Sequence, residues 1–436
     1  MTTRFRPTFQ GILGRIAGQS AMLFSGFAIA QACSFLRNAI IGHALAPHDF
    51  GIAASITMTL QLCETLSDLG ADRLIVQAED GEDPALMASA HTLLIARGAV
   101  TALALYLLAQ PMTGLFRIPD ARWAFELIAA VPLLKSLTHL DMRRRQRHLE
   151  NLPFLLTEVL PQILVLAAAL PVIWLTRNYA AVVWLALAQA VSATLISHAV
   201  AQRRYGIGFD FDHLQRLWRF GWPIWLSAIP LVAVYQGDRI IVGSLGGMEA
   251  LATYTAAFMM TMVPGLLAAK VGHALMLPLL SEARPDAKQF ITRVTTLGAI
   301  TAGASLLYLM VFAGIGGLLV RLAFGSAYAG LDALILALAG MWALRMIQAV
   351  PGMALLSVGT TRPLLVAGII RATALGPAYV AAATGYGAIG VAVVGIAGEL
   401  ASLVYVVWAM GRVTPANLAA CLAIRFTPMA HARQSH

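Results

Sequence analysis

Apolar stretches long enough to cross a bilayer recur along this chain of 436 residues, each followed by a short polar break. Crossing the hydrocarbon takes about 20 predominantly apolar residues. Lipid offers the backbone no hydrogen-bond partner, so a spanning segment must be a helix or a strand of a closed barrel. Stretches this long exceed barrel strands and predict helices. They run over Ser20–Gly42, Phe50–Leu69, Leu86–Ala109, Ala121–Leu140, Leu152–Leu175, Tyr179–Ala201, Leu217–Asp238, Ala250–Leu280, Phe290–Ala313, Leu331–Ser357, Pro363–Ala383 and Ala388–Met410, about twelve in all. Pro264 and Pro278 predict a tilt or kink in the eighth. Only 12% of the residues are charged and 59% are hydrophobic, against roughly 25% and 45–50% in soluble domains. That leaves too little charge for a water-facing surface, and the expected fold is an all-α integral membrane protein.

The polar breaks carry orientation. With a cytoplasmic N-terminus, nineteen of the 30 Lys and Arg residues fall at inner ends, among them Arg73, Arg143, Arg144, Arg145, Arg147, Arg203, Arg204 and Arg284. Five, Arg117, Arg122, Arg177, Arg239 and Arg321, fall at outer ends, and six lie inside the spans. This is the asymmetry of the positive-inside rule, so both termini are expected in the cytoplasm, with the protein in a bacterial inner membrane. The net charge of +9 then reads as orientation and attraction to anionic headgroups, with no nucleic-acid partner. The first apolar run continues past the cleavage-like Ala28-Ile29-Ala30 to Ala46, longer than the about 7–15 residues of a signal-peptide core, so cleavage is not expected. Cys33, Cys63 and Cys421 are too scattered for a disulfide framework or a zinc site.

The longest hydrophilic connector after the N-terminus, Gln202–Arg216, divides the chain into a six-helix lobe over 1–207, a second over 208–410 and a cytoplasmic tail over 411–436. Phe209–Phe220 alternates apolar and charged residues and predicts an interfacial segment. Ile40–Gly51 and Ile241–Ala252 echo one another: two apolar residues, a glycine, a bend of small residues, then a new helix. Repeated helix sets around a central site are a transporter architecture.

Further motifs carry a resemblance. Pro47-His48-Asp49-Phe50-Gly51 opens the second span and Ser67-Asp68-Leu69-Gly70 closes it. In the second half come Arg219–Gly247 with its Phe-Gly-x-Pro start and Asp238-Arg239, then Tyr254, Pro278 and the glycine-rich Gly385–Leu400. In this order the motifs resemble the polysaccharide-biosynthesis oligosaccharide flippases of the multidrug/oligosaccharidyl-lipid/polysaccharide (MOP) exporter superfamily. The resemblance implies two pseudo-symmetric lobes around a central cavity, alternating access, and no covalent chemistry, cofactor or catalytic residue. It implies carriage of a polyprenyl-diphosphate-linked oligosaccharide to the periplasmic leaflet for O-antigen, capsule or exopolysaccharide. Membrane lipids and other polysaccharide-assembly proteins are the expected partners. Lipid II flippases have about fourteen helices, so twelve point away from lipid II.

Charges inside the spans are the candidate site. A charge at mid-bilayer costs at least ~2.5–3.5 kcal/mol, so those retained face a cavity or a partner. Arg37, Arg97, Lys135, Lys270, Arg345 and Arg371 form a basic excess suited to a diphosphate, because arginine offers planar paired donors and stays charged when desolvated. Glu64, Glu158 and Glu399 are candidates for ion coupling. Structural alternatives stand beside these: Arg371 and Glu399 are close enough in depth to pair, and Arg37 and Lys270 sit near helix ends, where they could snorkel. A drug or cation antiporter of the same superfamily would need a deep acidic site, whereas the deep charges are mostly basic. A membrane polymerase would need a large outer loop, and the longest outer loop expected is Gly314–Gly330. Gly385–Gly390 fits G-x-G-x-x-G but lacks the preceding strand and following acid of a dinucleotide site. His43, His48 and Asp49 read as a solvated loop, with no metal site.

Overall fold

The computed structural model describes residues 9–412, without the side chains of residues 9–17, 19–20, 268–271 and 273–274. The Lys270 side chain, Cys421 and nearly all of the expected tail therefore lie outside the described residues. Every regular element among those residues is helical. In order they are α1 (Phe9–Ala44), α2 (Pro47–Leu66), α3 (Ala71–Gln77), α4 (Pro84–Phe116), α5 (Arg122–Ile128), α6 (Ala130–Ser136), α7 (Asp141–Gln146) and α8 (Leu152–Thr176). There follow α9 (Ala180–Ala199), α10 (Phe211–Ala283), α11 (Ala287–Phe324), α12 (Asp332–Ser357), α13 (Arg362–Thr373), α14 (Leu375–Ala381) and α15 (Gly387–Gly411). Eight helical segments among the described residues are long and apolar enough to cross a membrane. The apolar side chains Val100, Trp174 and Leu175 are 68%, 70% and 74% exposed, as suits lipid-facing helices and not a water-soluble surface.

Prolines and glycines set the boundaries. α2, α4, α8 and α13 each carry a proline in the first two positions, where its missing N–H costs nothing. Asp83 caps α4 by accepting from the Ala85 N–H at 2.9 Å. The fourth span is not continuous. It separates into α5 and α6 after Ile128, the residue whose carbonyl would accept from position 132, and Pro132 has no N–H to give. α13 and α14 separate after Thr373, four residues before Pro377, for the same reason. Pro111, Pro161, Pro171 and Pro351 lie inside helices that continue.

One expectation about the loops changes. α11 runs on to Phe324, so the outer loop expected over Gly314–Gly330 is mostly helix. Gly316 and Gly317 do not end it, because they are the close-packing points against Ile335 and Asp332 of α12. From Phe211 the expected interfacial segment Phe209–Phe220 forms the first turns of α10, with Phe211 and Trp218 exposed. The expected break near Ile241–Ala252 is present: Gly247, at φ 82° and ψ −177°, is the one non-helical residue inside α10, while Pro264 and Pro278 keep helical angles. Its counterpart is the two-residue gap between α1 and α2. The two bends touch, since a Cβ on Gly51 would overlap the Met248 carbonyl. The start of α15 likewise depends on glycine, with Gly385 at φ 98° and Gly387 at φ 57°.

The chain divides into two compact units, Met1–Ala256 with Val320–Ala329, and Ala257–Leu319 with Gly330–His436. The first has its main core around Ile56, Leu105, Phe125, Ile128 and Leu251. The second has cores around Leu280, Val350 and Met353, and around Leu355, Ala367 and Val406.

Candidate functional site

In the first unit, α2, α4 and α6 converge near one end. Gly98 has no Cβ to hold α4 away from Ser136 and the Pro132 carbonyl, so α4 lies against α6 and carries Arg97 to its edge. Lys135 Nζ lies 2.8 Å and 3.0 Å from the two carboxylate oxygens of Glu64. The bonds of Arg97 are long: 3.3 Å to Ser67 Oγ, 3.4 Å to Asp68 Oδ1 and 3.3 Å to the Glu64 carbonyl. Arg37 on α1 donates to Gln189 Oε1 of α9 at 2.6 Å and to Gln162 Oε1 of α8 at 3.4 Å. Two cavities meet at the Glu64–Lys135 pair, because both residues line both. One, of about 180 Å³, is lined also by Arg37, Asn38, Gln61, Gln162 and Gln189. The other, of about 230 Å³, is lined by Ser67, Arg97, Thr101 and Ser136. A search of the sequence for charge finds Arg37, Arg97, Lys135 and Glu64 but misses the amides. Asn38, Gln61, Gln162, Gln189 and Gln236 all lie inside expected spans, and a search for uncharged polar groups there would have found them.

The second unit holds an ion triad. Gly398 brings α15 against Ala374, beside Arg371, and Gly395 brings it against Met341 of α12. The residue after Gly398, Glu399, is 2% exposed; one oxygen accepts from Arg345 Nε at 2.5 Å, and the other forms an ion pair with Arg371, whose Nε is 3.0 Å away. The Arg345 guanidinium also lies 4.7 Å from the Trp342 ring centroid, and Gln348 donates to Ser402 at 3.0 Å one turn further along. Arg345 and Arg371, expected as cavity cations, thus share one buried carboxylate. Glu158, on α8, is exposed.

The arginine-rich run at 143–147 clamps polypeptide. Arg143 pairs with Asp72 at 3.0 Å, Arg144 with Asp141 at 2.6 Å, and Arg145 with Glu150 at 2.8 Å. Arg147 donates to the carbonyls of Ile75, Val76, Ala78 and Glu79 at the end of α3. Glu82 takes His148 at 2.7 Å, Arg203 at 2.8 Å and Arg144 at 3.3 Å. The hydrogen bond from His148, with the charges of Arg144 and Arg203, holds its carboxyl below the usual glutamate range. His91 accepts the Leu140 N–H on Nε2 at 3.1 Å, so Nδ1 carries the hydrogen given to the Gly206 carbonyl at 2.9 Å. Together with Thr92 Oγ1, 2.6 Å from the Gly208 carbonyl, it pins the connector between α9 and α10.

Buried ion pairs, adjoining polar cavities and an apolar exterior mark a helical membrane protein with polar groups in its interior. Its fold is that of MOP-superfamily transporters. A multidrug resistance MATE family transporter in an inward-facing conformation superposes with a TM-score of 0.71 at 16% identity, over 90% of this chain and 96% of that one. The lipid II flippase MurJ, inward closed, gives 0.71 at 12% identity over 94% of both chains. A MOP superfamily transporter from Pyrococcus furiosus, described as having a binding pocket of reversed polarity, gives 0.61 at 17% identity over 93% and 96%. Among curated proteins none matches the sequence significantly. Residues 41–332 match the model of the polysaccharide biosynthesis protein family, and the chain belongs to that family. Family and fold together support a membrane transporter.

Proposed function

We propose that the protein is a flippase that carries a polyprenyl-diphosphate-linked oligosaccharide from the cytoplasmic to the periplasmic leaflet of a bacterial inner membrane by alternating access. The observation that carries this reading is the pair of adjoining polar cavities in the first unit, with Arg37, Arg97 and Lys135 on their walls. A diphosphate requires donors and positive charge, and cations in a membrane interior are costly unless they serve such a ligand or a partner. Arg97 is held by three bonds of 3.3–3.4 Å, weak restraints that leave its guanidinium available to an anion. Arg345, Arg371 and Lys270 complete the proposed cationic set, with Glu399 as the counter-ion of the first two. Glu64, Glu158 and Glu399 remain the proposed coupling groups.

The proposed topology has twelve crossings, both termini cytoplasmic, in two lobes over 1–207 and 208–410. Support comes from dividing the long helical stretches at Gly247 and at Gly385–Gly387, and from counting α2 and the α5–α6 pair as crossings that composition or length alone would miss. The test is deletion of the gene followed by assay of which leaflet holds the lipid-linked sugar intermediate. Accumulation on the cytoplasmic leaflet, reversed by the wild-type gene and not by Arg97→Ala inserted at normal levels, is the expected outcome. Unpolymerised units collecting on the periplasmic side would overturn the reading.

A further inference from the structure

The 180 Å³ cavity differs from its neighbour in chemistry, and Arg37 is the reason. A guanidinium has donors and no acceptor. By donating to the Oε1 atoms of both Gln162 and Gln189, it fixes the orientation of these two amides and turns their NH2 groups the other way. Neither NH2 has a protein acceptor among the described residues. Gln61 is in the same condition, because its Oε1 accepts from Gln236 Nε2 at 3.2 Å while its own NH2 has no protein acceptor among the described residues. Three glutamines on α2, α8 and α9, each with an NH2 group that has no protein acceptor among the described residues, thus line one small cavity together with Glu64.

This array is wrong for a metal ion, which needs acceptors; its arginine is already engaged by two amide oxygens, one at 2.6 Å, whereas Arg97 is held only by bonds of 3.3–3.4 Å, so the Arg97 cavity is the better one for a phosphate. It suits a ligand whose every polar atom both donates and accepts, which is the property of a sugar hydroxyl. The volume of about 180 Å³ falls below the ~300–1,000 Å³ of pockets for drug-sized ligands, so a single ring is the occupant considered. We propose that this cavity is a saccharide subsite that takes the sugar ring nearest the diphosphate, with Gln61, Gln162 and Gln189 donating to its hydroxyl oxygens and Glu64 accepting from its hydroxyl hydrogens. The proposal rests on the headgroup reading above: the diphosphate occupies the adjoining Arg97–Lys135 cavity, and the first sugar crosses the Glu64–Lys135 pair into the amide cavity.

The test uses purified full-length protein and two probes, farnesyl diphosphate and farnesyl diphosphate bearing one N-acetylglucosamine. The wild type is expected to bind the sugar-bearing probe about tenfold more tightly, the worth of one or two net hydrogen bonds. Gln61→Leu combined with Gln162→Leu leaves Gln189 to hold Arg37. It is expected to abolish that preference while leaving affinity for the sugar-free probe unchanged. Should leucine disturb folding, seen as a lowered unfolding temperature, Gln61→Ser serves as the second variant with the same expected loss. Equal affinity of the wild type for both probes, or an equal loss of both in the variants, overturns the subsite and leaves the headgroup reading standing. Failure of the wild type to bind either probe overturns both.

Discussion

Among single residues, buried charge governs the second unit. Glu399 is 2% exposed with a guanidinium on each oxygen. Removing one member of such a set leaves uncompensated charge in a low-dielectric interior, at a cost of about 3–5 kcal/mol. Glu399→Gln is therefore expected to lower the unfolding free energy in detergent by that order, seen as a lower midpoint, and Arg371→Gln combined with it to recover part of the loss. An unchanged midpoint for Glu399→Gln would show that the triad contributes nothing to stability. Glu82 supplies a pH dependence whose sign follows from its environment. Its carboxyl is held below the ordinary value of 4.5, so its contribution is fully present above that pH and is lost as pH falls through the lowered folded value. Thermal unfolding measured between pH 7 and pH 3.5 is expected to show wild type losing its advantage over Glu82→Gln in the acid range. Parallel curves would remove Glu82 from the account.

Among the helices and their bends, two kinds of glycine act differently. Gly247 sits in open space, with no atom within 4 Å of where a Cβ would stand, but at φ 82° and ψ −177°. Gly247→Ala is expected to cost about 1–3 kcal/mol through backbone strain alone. Gly51 has helical geometry but no room, and Gly51→Ala is expected to cost about 1–3 kcal/mol by pushing α2 off the Met248 carbonyl. Chemical unfolding of each variant measures its cost, and an unchanged midpoint for Gly247→Ala or for Gly51→Ala would remove backbone strain or the close approach to Met248, respectively, from the account. The glycine-rich bends and the proline starts were legible in the sequence, because each acts through its own backbone. The split of α5 from α6 follows from Pro132 by the same local rule. The run of α11 past Gly314 was not legible, because a glycine costs only about 1 kcal/mol in a helix and packing against α12 outweighs it.

For the molecule as a whole, apolar exposure on long helices calls for a membrane. The proposed topology predicts that a cysteine at Glu79 is labelled by an impermeant thiol reagent only after the membrane is opened, and one at Asn178 in intact spheroplasts. Labelling of both from the same side would refute alternation of α4 and α8 across the bilayer. The solvent, the helical class, the positions of most bends and the identity of the charged residues in the apolar spans all follow from the order of amino acids, since these depend on composition and on local backbone chemistry. What those charges do follows from packing. Arg345 and Arg371 share Glu399, Lys135 meets Glu64, and Arg37 orients two glutamines, because each partner lies on another helix and small residues such as Gly98 and Gly398 let those helices approach. Spacing along one chain does not encode distance between helices, and a desolvated cation is defined by what stands beside it.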